Sequence, residues 1–314
     1  MLRRIAGDLF WTARYLERAQ WRARLVDVNY RMLLEVPPRD ADPWEALVQI
    51  TGEMELFGVK HSHADEASVV SFFTIDRENP SSIRRCIEAA RMNLSPLRHL
   101  ISSELWLEVN KLHLDAQSWS LEALTTAGIT TFFADLRDRF YTITGIIQST
   151  LPRDPAYDFI AIGTMIERAD SVARLLDVKY HYLLPRLEEV GGAADARQWM
   201  AVLRSASALE AFRKRHGGVI KTDRVIEILV FDPTFPRSAR FCLDRIAASL
   251  SRIMNEGGGE GPPPMAPGEG LLNILRSGSA ADAIAQGLHG FLLNIQSECA
   301  ATASMVFDRY MSLG

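Results

Sequence analysis

The chain has 314 residues, a formal net charge of −4 and a hydrophobic fraction of 47%. That slightly acidic balance argues against a dedicated nucleic-acid binder, which carries a basic excess. No apolar run reaches transmembrane length, and the charges at Arg3, Arg4, Asp8 and Arg14 interrupt any signal-peptide core.

Residues 7 to 35 read as one long helix, stopped by Pro37-Pro38. Asp42-Pro43 is a cap followed by proline at the first helical position, and Trp44, Leu47, Val48, Ile50 and Met54 predict a helix running to Gly58. His61 to Asp65 is a polar break. Val69 to Ile75 is read as helix from its surroundings, since periodicity alone does not separate helix from strand in so short a run. Asp76 to Ser82 predicts a turn and a cap. Helices then follow from Ile83, from Ser102-Ser103-Glu104, and from 117 to 150 in two pieces broken near Gly128. Leu151 to Pro155 is a joint.

Beyond the joint the order returns. Glu17-Arg18-Ala19, Ala23-Arg24-Leu25 and Asp27-Val28 come back as Glu167-Arg168-Ala169, Ala173-Arg174-Leu175 and Asp177-Val178. Ala196 to Phe212 matches the Trp44 helix, and Phe231 to Ser238 mirrors Ile75 to Ser82, with Asp232 on Asp76 and Cys242 on Cys86. A Gly/Pro-rich stretch, 256–270, reads as a flexible loop, and Ala280 to Met311 closes the chain as helix. Nothing predicts a sheet. The expected class is all-α: one helical bundle spanning 1–314, built of two pseudo-symmetric repeats at about 1–150 and 151–314.

At 100° per residue the repeated residues wrap most of the way round their helices, so both read as central helices touched on several sides. Buried charges need partners. Spacing suggests Arg24 to Asp27 and Arg174 to Asp177, and packing of two halves would let Glu17 and Glu167 each meet an Arg of the other copy. Two readings stay open: an ion-pair network that fixes helix register, or a polar pocket for an anionic or peptide-like ligand.

With these blocks in hand, the chain resembles the alpha-E family, a bacterial all-helical family named for its Glu-Arg motif. Tyr15 to Ala19 looks like the family's first Glu-Arg block, and Gly163 to Asp170 like its second. Phe72-Phe73 to Asp76, with Asn79 to Ile83, is similar to its middle block. Arg91-Met92-Asn93, followed by Arg98, Glu104, Trp106 and Asn110, is similar to a further one. Two departures stand out: Asn93-Leu94-Ser95 lacks the Arg usual there, and Gln20 stands where the second copy has Asp170.

The resemblance implies company with circularly permuted ATP-grasp and transglutaminase-like proteins. It thereby implies a helical binding or accessory component of a system that forms or processes peptide or amide bonds, with an ATP-grasp ligase or a transglutaminase-like protein as partner. The alternative is an enzyme of that pathway, using the Glu-Arg motifs for acid/base and anion-binding chemistry. The candidate residues are Tyr15, Glu17, Arg18, Arg24, Asp27, Glu167, Arg168, Asp170, Arg174, Asp177, Arg91, Asn93, Trp106 and Asn110.

No cofactor is expected. No Walker-type loop, Gly-x-Ser-x-Gly elbow or Glu-x-x-His pair is present. His61-x-His63-x-Asp65 would need further ligands from elsewhere to hold a metal and reads as a polar loop. Cys86, Cys242 and Cys299 are odd in number and widely spaced, and suit reduced thiols in a cytoplasmic protein.

Overall fold

Asp65, Ser82, Ser102, Ser120 and Ser279 each accept a hydrogen bond from the N–H three residues on, and each opens a helix. The computed structural model describes residues 3–35, 43–181, 192–256 and 269–311, and within them it contains fifteen α-helices and no strand. The expected Gly/Pro loop, like Asp42 and Pro185, falls in whole or in large part outside the described residues. Among the described residues no helix is long and apolar enough to cross a membrane.

The chain divides into two compact units, Met1–Thr164 and Met165–Ser312. The first opens with α1 (Arg3–Glu35), α2 (Pro43–Thr51), α3 (Met54–Gly58) and α4 (Glu66–Thr74), followed by α5 (Ile83–Leu94) and α6 (Ser103–Gln117). It continues with α7 (Leu121–Ala127), α8 (Ile129–Thr150) and the start of α9 (Pro155–His181). Within this unit α1 packs on α5 and α8 and touches α2 and α4, while α6 packs on α5 and α8. Phe10, Phe72, Phe73, Ile87, Phe133 and Phe140 are fully buried, and each contributes roughly 1.5–3 kcal/mol by leaving water.

The second unit carries the rest of α9, then α10 (Ala193–Ser205), α11 (Leu209–His216) and α12 (Thr222–Ile226). A π-helical turn, Glu227–Phe231, leads to α13 (Ala239–Glu256), α14 (Glu269–Ser277) and α15 (Ala280–Tyr310). The π turn packs against α13, α14 and α15. The last helix is kinked at Gly287, whose φ is 104°.

The helix expected to run from Trp44 to Gly58 is in fact two. Gly52 takes φ 73°; its N–H donates to Gln49 O and that of Glu53 to Val48 O, which closes α2. The match to this helix in the second unit breaks likewise. Ser207 takes φ 56°, and the N–H groups of Ser207 and Ala208 donate to Arg204 O and Leu203 O. The apolar spacing runs through both breaks, so periodicity does not reveal them.

The two Asp turns share their bonding as well. Asp76 Oδ1 accepts from Glu78 N–H at 2.8 Å, and Asp232 Oδ1 from Thr234 N–H at 2.7 Å. Ser82 Oγ donates to Asp76 O and Ser238 Oγ to Asp232 O. Arg84 reaches Ile75 O and Arg240 reaches Phe231 O. Each carboxylate meets a cation placed just before a His: Lys60 on Asp76, Arg215 on Asp232. Those histidines, His61 and His216, lie against Phe57 and Phe212, four residues earlier.

Candidate functional site

Helix α1 has no exposed residue from Ile5 to Tyr30, and every residue from Ala19 to Asp27 is buried. α9 has none from Pro155 to Lys179. A surface helix would keep one polar face in water. Small residues allow the close approach: a methyl added at Gly163 of α9 would lie 2.4 Å from Phe10 O.

Four motif positions on each helix fall on one stripe at spacings of three, four and seven: Glu17, Gln20, Arg24 and Asp27 on α1, and Glu167, Asp170, Arg174 and Asp177 on α9. Both Glu are buried, at 5% and 4% exposure. Glu17, Arg18, Glu167 and Arg168 all have interaction partners.

The stripes then diverge. On α1, Gln20, Arg24 and Asp27 are all buried. Arg24 donates from Nη2 to the Tyr141 hydroxyl of α8 at 2.9 Å, with its guanidinium over that ring. On α9, Asp170, Arg174 and Asp177 are only half-buried, and the Arg174 side chain is 36% exposed.

The spacing expectation for the ion pairs is corrected. Asp27 accepts from Arg31 Nε at 2.8 Å, and Arg174 Nε donates to Asp170 at 2.8 Å; both pairs are four residues apart, not three. Residues four apart stack one above the other along the helix, which aligns a short Asp with a long Arg. Asp177 instead meets His289 of α15, Oδ1 to Nδ1 at 2.6 Å. A carboxylate only accepts, so His289 Nδ1 is the donor in this contact. The His289 side chain is 49% exposed.

Tyr15 is half-buried with its ring against Trp11. The remaining candidates gather elsewhere in the first unit. Arg91 Nε donates to Asn110 Oδ1 at 3.2 Å, and the Arg91 guanidinium lies over Trp106 of α6. Asn93, on another side of α5, makes no side-chain hydrogen bond among the described residues. His113 lies one turn beyond Asn110 on α6; burial and then the Arg91 charge hold its imidazole below the usual range, while Glu88 opposes them.

Three participants were missed from sequence. Tyr141 and His289 reach the stripes from distant helices, with no local signal. Lys179 is nine-tenths buried at the end of α9, where it meets Asp195 at 3.0 Å, Gln198 at 2.7 Å and the ring of Trp199. Burial pushes its ammonium down, and the bond to Asp195 opposes that. Its counterpart Asn29 in the first copy was the available cue. Among the described residues no group of three or more His, Cys, Asp or Glu is placed to hold a metal, and Cys86, Cys242 and Cys299 are buried free thiols.

Over residues 1–311 the chain matches the model of the Alpha-E family, described as a predicted alpha-helical domain with a conserved ER motif. It is similar to uncharacterized proteins of Mycobacterium tuberculosis and Mycobacterium bovis, 25% identical over 281 residues. The match covers 83% of this chain and 31% of each relative, so the chain spans about a third of the length of the curated relatives it matches. No solved structure matches the chain.

Proposed function

The chain belongs to the Alpha-E family, and from that premise we propose that it is a helical binding component of a system that makes or processes peptide or amide bonds, working in the cytoplasm beside an ATP-grasp ligase or a transglutaminase-like protein. The observation that carries this reading is the half-open stripe of α9. Arg174 offers donors to a carboxylate there, Asp170 and Asp177 offer acceptors to an amine or amide N–H, and the side chains are partly in water. A register-fixing network alone would leave no reason for this stripe to stay open while that of α1 is closed. The greater length of the mycobacterial relatives also fits a domain that works beside further domains.

A second reading, an enzyme of the same pathway, is favoured by one contact. The Asp177–His289 pair orients an imidazole as an acid/base group. Affinity capture with the full chain from native extract separates the readings from failure. Recovery of an ATP-grasp or transglutaminase-like protein, lost with Arg174→Met, supports the binding role. Turnover of a peptide or amide product by the purified chain, lost with His289→Gln, supports the second. Neither partner and no turnover overturns both.

A further inference from the structure

Trp106 on α6 lies under two cations. The guanidinium of Arg91 is 5.4 Å from its ring centre and that of Arg98, on the turn after α5, is 4.9 Å away. Guanidinium groups suit carboxylate partners in a two-pronged geometry, and several arginines of this chain, such as Arg22, Arg139 and Arg276, are matched by one. These two are not: among the described residues neither has a carboxylate within ion-pair distance. Glu88 pairs with Arg85, and Glu108 with Arg139.

Each guanidinium is instead tethered at one point. Arg91 Nε is held by Asn110 Oδ1, and Arg98 Nε donates to Ser95 O at 3.1 Å. Tethering at Nε restrains each fork, and its terminal amino groups have no hydrogen-bond acceptor among the described residues. Because Asn110 spends its oxygen on Arg91, the amide presents its NH2, and the Trp106 indole N–H likewise donates to no described residue. Arg98 is exposed, and Arg91, Trp106 and Asn110 are half-buried, so all four are reachable from water.

The four side chains therefore present donors, their two guanidiniums have no carboxylate within ion-pair distance, Glu88 being paired with Arg85, and each guanidinium is held by its own tether. From this we infer that Arg91, Arg98, Trp106 and Asn110 form a binding site for a small oxyanionic ligand bearing a carboxylate or a phosphate. The inference is independent of the α9 stripe and stands or falls separately from it. Two forks with shared positive charge favour a dianion, since each fork can take one pair of oxygens.

The test titrates the full chain with inorganic phosphate in one arm and glutarate in the other. It follows heat of binding and the indole N–H resonance of Trp106, assigned from a Trp106→Phe sample. The expected result is saturable binding of at least one anion, a shift of the Trp106 resonance, and about ten-fold weaker binding in Arg98→Gln, with partial recovery in Arg98→Lys. Arg98 is exposed, so these variants fold. Saturation by phosphate alone identifies a phosphate-bearing ligand, and by glutarate alone a carboxylate-bearing one. No saturable binding in either arm, or binding that Arg98→Gln leaves unchanged, overturns the inference.

Discussion

Arg22 of α1 and Glu53, at the break between α2 and α3, form a two-pronged ion pair, Nη1 to Oε2 at 2.8 Å and Nη2 to Oε1 at 2.7 Å. The Arg22 side chain is 4% exposed and that of Glu53 15%. At the matching positions of the second copy stand Val172 and Ala208, both buried. Where the two sequence blocks align, the first thus carries a charge pair and the second carries buried apolar residues. Removing one charge leaves the other buried and unpaired, so Arg22→Val alone is expected to cost about 3–5 kcal/mol. Arg22→Val with Glu53→Ala, which installs the residues of the second copy, is expected to recover most of that loss. Urea unfolding of the two single variants and the double one measures the coupling; a double variant as unstable as the sum of the singles would contradict this picture.

The close approach at Gly163 gives a second expectation. A methyl there meets backbone, not a movable side chain, so Gly163→Ala is expected to destabilise by about 1–3 kcal/mol. Gly290 of α15 is exposed, with nothing within 4 Å of an added Cβ. There Gly→Ala should stabilise by about 0.5–1 kcal/mol through lower backbone entropy in the unfolded chain. Calorimetric melts of opposite sign check the pair.

The Asp76 turn predicts a pH response. Burial alone would raise the Asp76 carboxyl, but hydrogen bonds from Glu78 N–H and Lys60 outweigh it and hold it below the usual range. A depressed folded value contributes stability that is present above the unfolded value, near pH 4, and is lost as pH falls through the folded one. Asp76→Asn should therefore lower the urea midpoint at pH 7, and the gap to the wild type should narrow below about pH 4. A gap that persists unchanged to pH 2 would assign the effect to shape and not charge.

The extent to which sequence shows this fold depends on the range of the interaction. Caps act over three residues, so Ser82 and Ser102 announce α5 and α6, and Gly128 announces the break between α7 and α8. Ser207 holds a positive φ without being glycine, a conformation costing about 1–2 kcal/mol that the surrounding turn sustains, so its break carries no residue-type signal. The repeat of Glu-Arg-Ala located the two central helices. It did not reveal that Arg24 meets Tyr141 or that Asp177 meets His289, because those partners lie more than a hundred positions away.

The difference between Arg24 and Arg174 is where the functional account is most exposed to measurement. Arg24→Met and Arg174→Met, compared in the full chain for melting temperature and for recovery of an ATP-grasp or transglutaminase-like partner, test it side by side. Arg24→Met is expected to lower Tm by roughly 2–4 °C, the shift for about 1 kcal/mol in a chain of this order of size. Arg174→Met should melt within about 1 °C of the wild type, because its pair with Asp170 is partly in water and worth little, yet lose partner recovery. An Arg174→Met chain that keeps both its melting temperature and its partner would contradict a binding role for the α9 stripe.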